Sequence, residues 1–137
     1  SNDRFASAHE MVREYQELEK EMADPSIHED QGKARQLGRR YAQLGPVVAG
    51  FNAWKSAADD LEAAKEMALE DESFATEIPA MEVAVEAAAD KLAADAAAKL
   101  KADAAATTAS TKAAADAAAA AAAADNWSSK FQLPKVS

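Results

Sequence analysis

The stretch Arg35-Gln36-Leu37-Gly38-Arg39-Arg40-Tyr41-Ala42-Gln43-Leu44-Gly45-Pro46-Val47-Val48-Ala49-Gly50-Phe51 decides between two architectures. Read locally, Gly45-Pro46 should end a helix, because proline lacks a backbone donor and its ring crowds the preceding turn. Over a longer window, Leu37, Tyr41, Leu44, Val48, Phe51, Ala58 and Leu61 recur at heptad-like spacing, and the phase survives across Gly45-Pro46. The periodicity predicts one helix over residues 29 to 70, about 60 Å long at 1.5 Å per residue and bent at Pro46. Two helices broken at Gly45 are the alternative.

On the N-terminal side, Phe5, Ala8, Met11, Tyr15, Leu18 and Met22 step by three and four, which places them on one stripe of a first helix with charged residues on its other faces. Asp24-Pro25 stops that helix, since a residue before proline is pushed out of the α region. Ser26-Ile27-His28-Glu29 has the S-x-x-E form of a capping box and predicts the entry of the next helix. On the C-terminal side, residues 70 to 73 turn the chain. Phe74, Ile78, Met81, Val85, Ala88 and Leu92 then form a third stripe, with Pro79 near its start. Nothing reads as a strand. The expected fold is all-α: an antiparallel helical bundle, or an extended helical hairpin with a third helix, followed by an alanine-rich helix.

The 49% hydrophobic content overstates the core, because 21 of the 33 residues from 93 to 125 are alanine. Alanine is a strong helix former with little side-chain area to bury, so the core is expected before residue 93. Three segments follow: a helical domain over 1–92, an alanine-rich helical segment over 93–125, and a C-terminal arm over 126–137 with Trp127, Phe131 and Leu133 ahead of Pro134. Thr107, Thr108 and Thr111 do not make the regular eleven-residue repeat of alanine-rich antifreeze helices. With no cysteine, disulfides, thiolate metal sites and cysteine nucleophiles are excluded. No apolar run is long enough for a membrane span and no N-terminal segment reads as a signal peptide, so a cytoplasmic protein is expected.

Charge is unevenly distributed. Residues 1 to 92 carry 20 acids and 10 bases, whereas residues 93 to 137 carry 4 acids and 5 bases. An acidic domain gains no general counterion-release attraction for nucleic acid, so autonomous binding should be weak or absent. The local exception lies between Asp30 and Lys55, where one acid accompanies Lys33, Arg35, Arg39, Arg40 and Lys55. These five are the candidate contact residues for phosphate or an acidic partner. The competing reading, which we favour, pairs them internally with Glu14, Glu17 and Glu21 of the first helix.

Other candidates have plainer explanations. His9 and His28 belong to no ligand-spaced cluster; His9 falls on a charged helix face and His28 in the turn. Adjacent acids such as Asp59-Asp60 and Glu70-Asp71-Glu72 diverge by about 100° around a helix and do not share a site. Tyr41 and Phe51 keep the core phase, and Trp54 is slightly off it, so packing is expected before a base-stacking platform. No nucleophile, metal cluster or phosphate loop is visible, and neither enzymatic activity nor a cofactor is expected.

Residues 22 to 31, Met22-Ala23-Asp24-Pro25-Ser26-Ile27-His28-Glu29-Asp30-Gln31, resemble the acidic Asp-Pro turn of the bacterial class I release factors, in the form of release factor one. Arg40-Tyr41-Ala42-Gln43-Leu44-Gly45-Pro46-Val47-Val48 is similar to the tract that follows it there. Asp59-Asp60-Leu61-Glu62-Ala63-Ala64 and Glu70-Asp71-Glu72-Ser73-Phe74 also fall where that family has related residues. Release factor two usually has a tryptophan soon after the Asp-Pro turn; here Ile27-His28 stands in that place. The resemblance covers about the first 92 residues, the family's N-terminal helical domain, and is lost where the sequence turns to alanine. Neither the Gly-Gly-Gln used in peptidyl-tRNA hydrolysis nor the Pro-x-Thr used in stop-codon discrimination occurs in the 137 residues.

The resemblance therefore implies a ribosome-docking domain of a translation termination factor without its codon-reading and hydrolytic domains. Its implied partners are the stalk base of the large ribosomal subunit and the methyltransferase that modifies the Gly-Gly-Gln glutamine; no membrane partner is implied. A free-standing helical scaffold or coiled-coil interaction module is the alternative, and its apolar stripes would need partner chains to cover them.

Overall fold

The computed structural model describes residues 3–131. A 3-10 turn, Asp3–Phe5, leads into α1, Ala6–Ala23, which buries Ala8, Met11 and Leu18. Phe5 and Tyr15 of the same stripe are half-buried, while Met22 at its end is exposed. The helix stops at Asp24, whose extended backbone suits the residue before Pro25.

The Asp-Pro segment differs from the expected capping box. Pro25–Glu29 forms a separate 3-10 turn, capped by Asp24, whose carboxylate accepts from the Ser26 N–H at 2.9 Å. The long helix is capped instead by Asp30, which accepts from the Lys33 N–H at 3.0 Å. The entry thus lies one 3-10 turn further along, because each aspartate satisfies its own set of orphan donors. Ile27, between the two caps, is buried.

The helix α2 then runs unbroken over Gln31–Glu70 with Pro46 inside it, as the uninterrupted apolar phase predicts. Its buried residues are Leu44, Val47, Leu61 and Ala64. Pro46 is exposed, and so is Ala42, whose carbonyl loses the donor that Pro46 lacks. Placing the gap on the solvent side lets water meet that carbonyl, so the helix continues where a buried proline would interrupt it.

A second aspartate-capped 3-10 turn, Glu72–Glu77, follows; Asp71 accepts from the Ser73 N–H at 3.0 Å. Phe74, expected on the third helix, belongs to this turn and is exposed. The helix α3 covers Ile78–Lys130. Ile78, Met81, Val85 and Ala88 are half-buried; Ala89, Leu92 and Ala96 are fully so. The described residues contain no strand.

The chain divides into two compact units, residues 1–99 and 100–137. In the first, Ala8, Met11, Leu18, Leu44, Val47, Leu92 and Ala96 make one core cluster drawn from all three helices. Leu44 and Leu92 are its largest completely buried side chains. Burial therefore continues past Leu92 to Ala96, beyond the expected end of the core at residue 93. An alanine suffices there because helices approach closely where side chains are small. The side chain of Leu92 comes within ordinary contact distance, 3.8 Å, of where a Cβ on Gly50 would stand.

Outside the core, Arg4 bridges α1's leading turn to α3. It donates to Glu86 at 2.9 Å and to Asp90, and these contacts hold its guanidinium more firmly protonated than usual. The apolar stripes meet one another inside a single chain over Ala8, Met11, Leu18, Leu44, Val47, Leu92 and Ala96, while Met22 and Phe74 at their ends stay exposed.

In the second unit nearly every described residue is exposed. The hydroxyls of Thr107, Thr108 and Thr111 donate to the carbonyls of Asp103, Ala104 and Thr107, four residues back. Lys112 pairs with Asp116 at 2.7 Å. Asn126 to Lys130 continue the helix, with the Trp127 and Phe131 rings 5.1 Å apart and exposed. Leu133 and Pro134 lie outside the described residues.

Candidate partner-docking site

The five basic residues divide into committed and uncommitted groups. Arg40 is committed: its Nε donates to Glu14 Oε2 at 2.6 Å and its Nη2 to Glu14 Oε1 at 2.9 Å, a two-pronged pair joining α2 to α1. Its side chain is 27% exposed and that of Glu14 41%, so the pair is partly shielded from water. Of the three acids expected to receive these bases, only Glu14 does so; Glu17 meets Lys20 of its own helix at 3.4 Å. Lys33 contributes its backbone to the Asp30 cap, and, after the hydrogen bond from Ser26, its charge helps hold the Asp24 carboxyl below its usual range.

Arg35, Arg39 and Lys55 are exposed and make no ion pair among the described residues. Arg35 and Arg39 lie one turn apart on α2, on the same solvent-facing side as Ala42, Pro46, Ala49 and Ala53. Those four are small or compact and exposed, so neighbouring side chains do not screen the two guanidinium groups. Internal pairing thus accounts for Arg40 and leaves Arg35 and Arg39 with charge to offer.

Between α1 and α2 runs an open groove of about 420 Å³ with Leu18 and Leu37 at its floor. Gln36, Arg39 and Gln43 line the α2 side, and the Arg40–Glu14 pair closes the other. Lys99 donates to Gln43 Oε1 at 3.3 Å.

Tyr41, Phe51 and Trp54, the candidates for a base-stacking surface, pack against the core instead. Tyr15 and Tyr41 stack face to face with ring centroids 4.0 Å apart and planes 13° apart. The Tyr41 hydroxyl donates to Glu19 at 3.2 Å. The hydrogen bond with Tyr15, then burial, then the Glu19 charge raise the Tyr41 pKa well above its ordinary value. Phe5, Phe51 and Trp54 pack on the core, with Phe5 and Trp54 centroids 4.8 Å apart. His9 is exposed, but its ring lies edge-to-face with Phe51, centroids 5.4 Å apart and planes at 72°, a contact that its charged neighbours in sequence did not suggest. Among the described residues no three acids or histidines are grouped to hold a metal ion, and no helix is long and apolar enough to cross a membrane.

Comparison with known proteins gives a consistent family. The PCRF domain matches residues 11–129, a span that extends through the alanine-rich stretch. Peptide chain release factor 1 of Acidothermus cellulolyticus is 49% identical over 88 residues, covering 64% of this chain and 24% of that protein. The Streptomyces coelicolor protein of the same name is 44% identical over 88 residues, 64% of this chain and 25% of its own length. That of Mycobacterium sp. strain KMS is 47% identical over 76 residues, 56% of this chain and 21% of its own. The chain therefore spans about a quarter of the length of the relatives it matches. No solved structure matches it significantly. With the family match covering most of the chain and the helical architecture in agreement, the chain belongs to the PCRF domain family, in the form carried by the N-terminal part of peptide chain release factor 1.

Proposed function

We propose that this domain docks a translation termination factor on the large ribosomal subunit, near the stalk base, while codon reading and peptide release belong to other domains of such a factor. The observation that carries the proposal is the two exposed arginines, Arg35 and Arg39, which make no ion pair among the described residues, on a domain that is otherwise acidic and similar to release factor 1. On this reading the domain catalyses nothing itself and works in the cytoplasm, where ribosomes are. Lys33, Arg35, Arg39, Arg40 and Lys55 are the candidate contact residues: Arg35 and Arg39 meet the partner, Arg40 holds the helices beneath them together, and Lys55, about 24 Å further along α2 and turned by about 160° from Arg39, belongs to a separate face. Residues 1–92 are the docking domain, 93–125 an alanine-rich helical segment and 126–137 a C-terminal arm. The release-factor glutamine methyltransferase is a second proposed partner.

Cosedimentation with large ribosomal subunits tests the reading. The chain should bind, with binding that weakens as salt rises, and reversing Arg35 and Arg39 to glutamate should abolish binding without lowering the unfolding midpoint. Absence of binding by the unaltered chain, or full binding by the reversed one, would refute it.

A further inference from the structure

The groove between α1 and α2 has a chemistry distinct from the open face that carries Arg35. Gln36, Arg39 and Gln43 stand at i, i+3 and i+7, one side of α2 over about 10 Å, which is the length of about three extended residues. Gln36 and Arg39 have no partner among the described residues. Gln43 accepts from Lys99 through its oxygen and so presents its amide N–H groups as donors. The Arg40–Glu14 pair neutralises itself, which leaves the charge of Arg39 to set the sign of the groove. The result is a row of donors with net positive charge above an apolar floor of Leu18 and Leu37.

We propose that this groove binds an acidic protein segment, placing a carboxylate on Arg39 between Gln36 and Gln43 and a neighbouring aliphatic side chain on Leu18 and Leu37. The inference rests on the docking reading only in that such a segment would belong to a ribosomal partner. Charge complementarity selects an anion, and two features select protein over nucleic acid. A phosphodiester chain gains nothing from an apolar floor, whereas a peptide offers a carboxylate and an aliphatic group within two residues. A polyanion also meets the repulsion of a chain with net charge −9, and the few cations here would release few counterions to offset it. A lone carboxylate desolvated against a guanidinium is less affected by that distant charge, because exposed charges beyond about 10 Å are largely screened at moderate salt.

Titration of the isotope-labelled full chain by nuclear magnetic resonance tests this, using a short capped peptide of glutamate and leucine, the same peptide with glutamine for glutamate, and a short single-stranded RNA. The acidic peptide should shift the side-chain amide signals of Gln36 and Gln43 and bind at least about tenfold tighter than its glutamine counterpart, a factor worth about 1.4 kcal/mol. Arg39→Gln should erase that preference while leaving the unfolding midpoint in place, since Arg39 makes no hydrogen bond or ion pair among the described residues. Equal affinity for the two peptides, a preference that survives Arg39→Gln, or a response at these amides to RNA alone would each overturn the proposal. Large-subunit binding without peptide binding would leave the docking reading standing and remove the groove. Peptide binding without large-subunit binding would do the reverse.

Discussion

Neighbouring arginines on one helix differ here because helical geometry turns adjacent side chains by about 100°. Arg40 faces α1 and binds Glu14, whereas Arg39 looks into the groove and makes no ion pair among the described residues. Arg40→Ala should therefore lower stability by about 1 kcal/mol, the upper part of the range for partly exposed pairs. Arg35→Ala and Arg39→Ala should stay within about 0.5 kcal/mol. Urea midpoints of the three variants check this, and equal shifts would show that the Arg40–Glu14 pair contributes nothing special. Burial ranks the apolar side chains in the same way. Leu44 is fully buried and Tyr41 only half so. Leu44→Ala should cost about 3 to 5 kcal/mol and Tyr41→Ala about 2, less than the truncation of a fully buried ring.

At the scale of the element, α2 carries a proline that its packing does not require. Pro46 is exposed, and proline inside a helix costs about 3 kcal/mol relative to alanine. The lost stiffness of the unfolded chain offsets up to about 1 kcal/mol of any gain. Pro46→Ala should raise stability by about 2 kcal/mol and the thermal midpoint with it; a fall would mean that the proline sets a bend the core needs.

The turns between helices are held by carboxylates, and their pH behaviour follows. Hydrogen bonds from Ser26 and Ser73 lower the pKa values of Asp24 and Asp71 below 3.8. A carboxyl that ionises more readily when folded contributes stability that is complete above the unfolded value, near 4, and is lost as pH falls through the lower folded value. Tyr41 acts at the other extreme. Its raised pKa favours the neutral hydroxyl in the folded chain, so that contribution is complete below about 10 and is lost as pH rises beyond it. Unfolding midpoints measured across pH should therefore decline below 4 and above 10. Asp24→Asn and Asp71→Asn together should flatten the acid limb.

For the molecule as a whole, the decisive packing is among three helices whose contacts are distant in sequence. Leu44 of α2 shares its cluster with Ala8 of α1 and with Leu92 and Ala96 of α3. A chain ending at Lys99 should therefore melt higher than one ending at Leu92, because the shorter chain loses Ala96 and the helical turn that follows Leu92. Circular dichroism melts of the two would decide this, and equal midpoints would place Ala96 outside the cooperative core.

The sequence by itself determined the helices, because their causes are local or periodic. Three- and four-residue spacing marked the stripes through Met11, Leu18, Leu44 and Leu92, and continuity of phase outweighed Gly45-Pro46. It also singled out the basic island, since charge is countable. Which aspartate caps which turn was not legible, because Asp24, Ser26 and Asp30 are all competent caps and the backbone path chooses among them. Nor was the role of Ala96, identical in composition to a score of exposed alanines around it. Only the tertiary structure separated Arg40 from Arg39 and enclosed a groove between α1 and α2, because ion pairing and concavity depend on which surface of another element a side chain meets, and one helix's periodicity carries no information about its neighbour's.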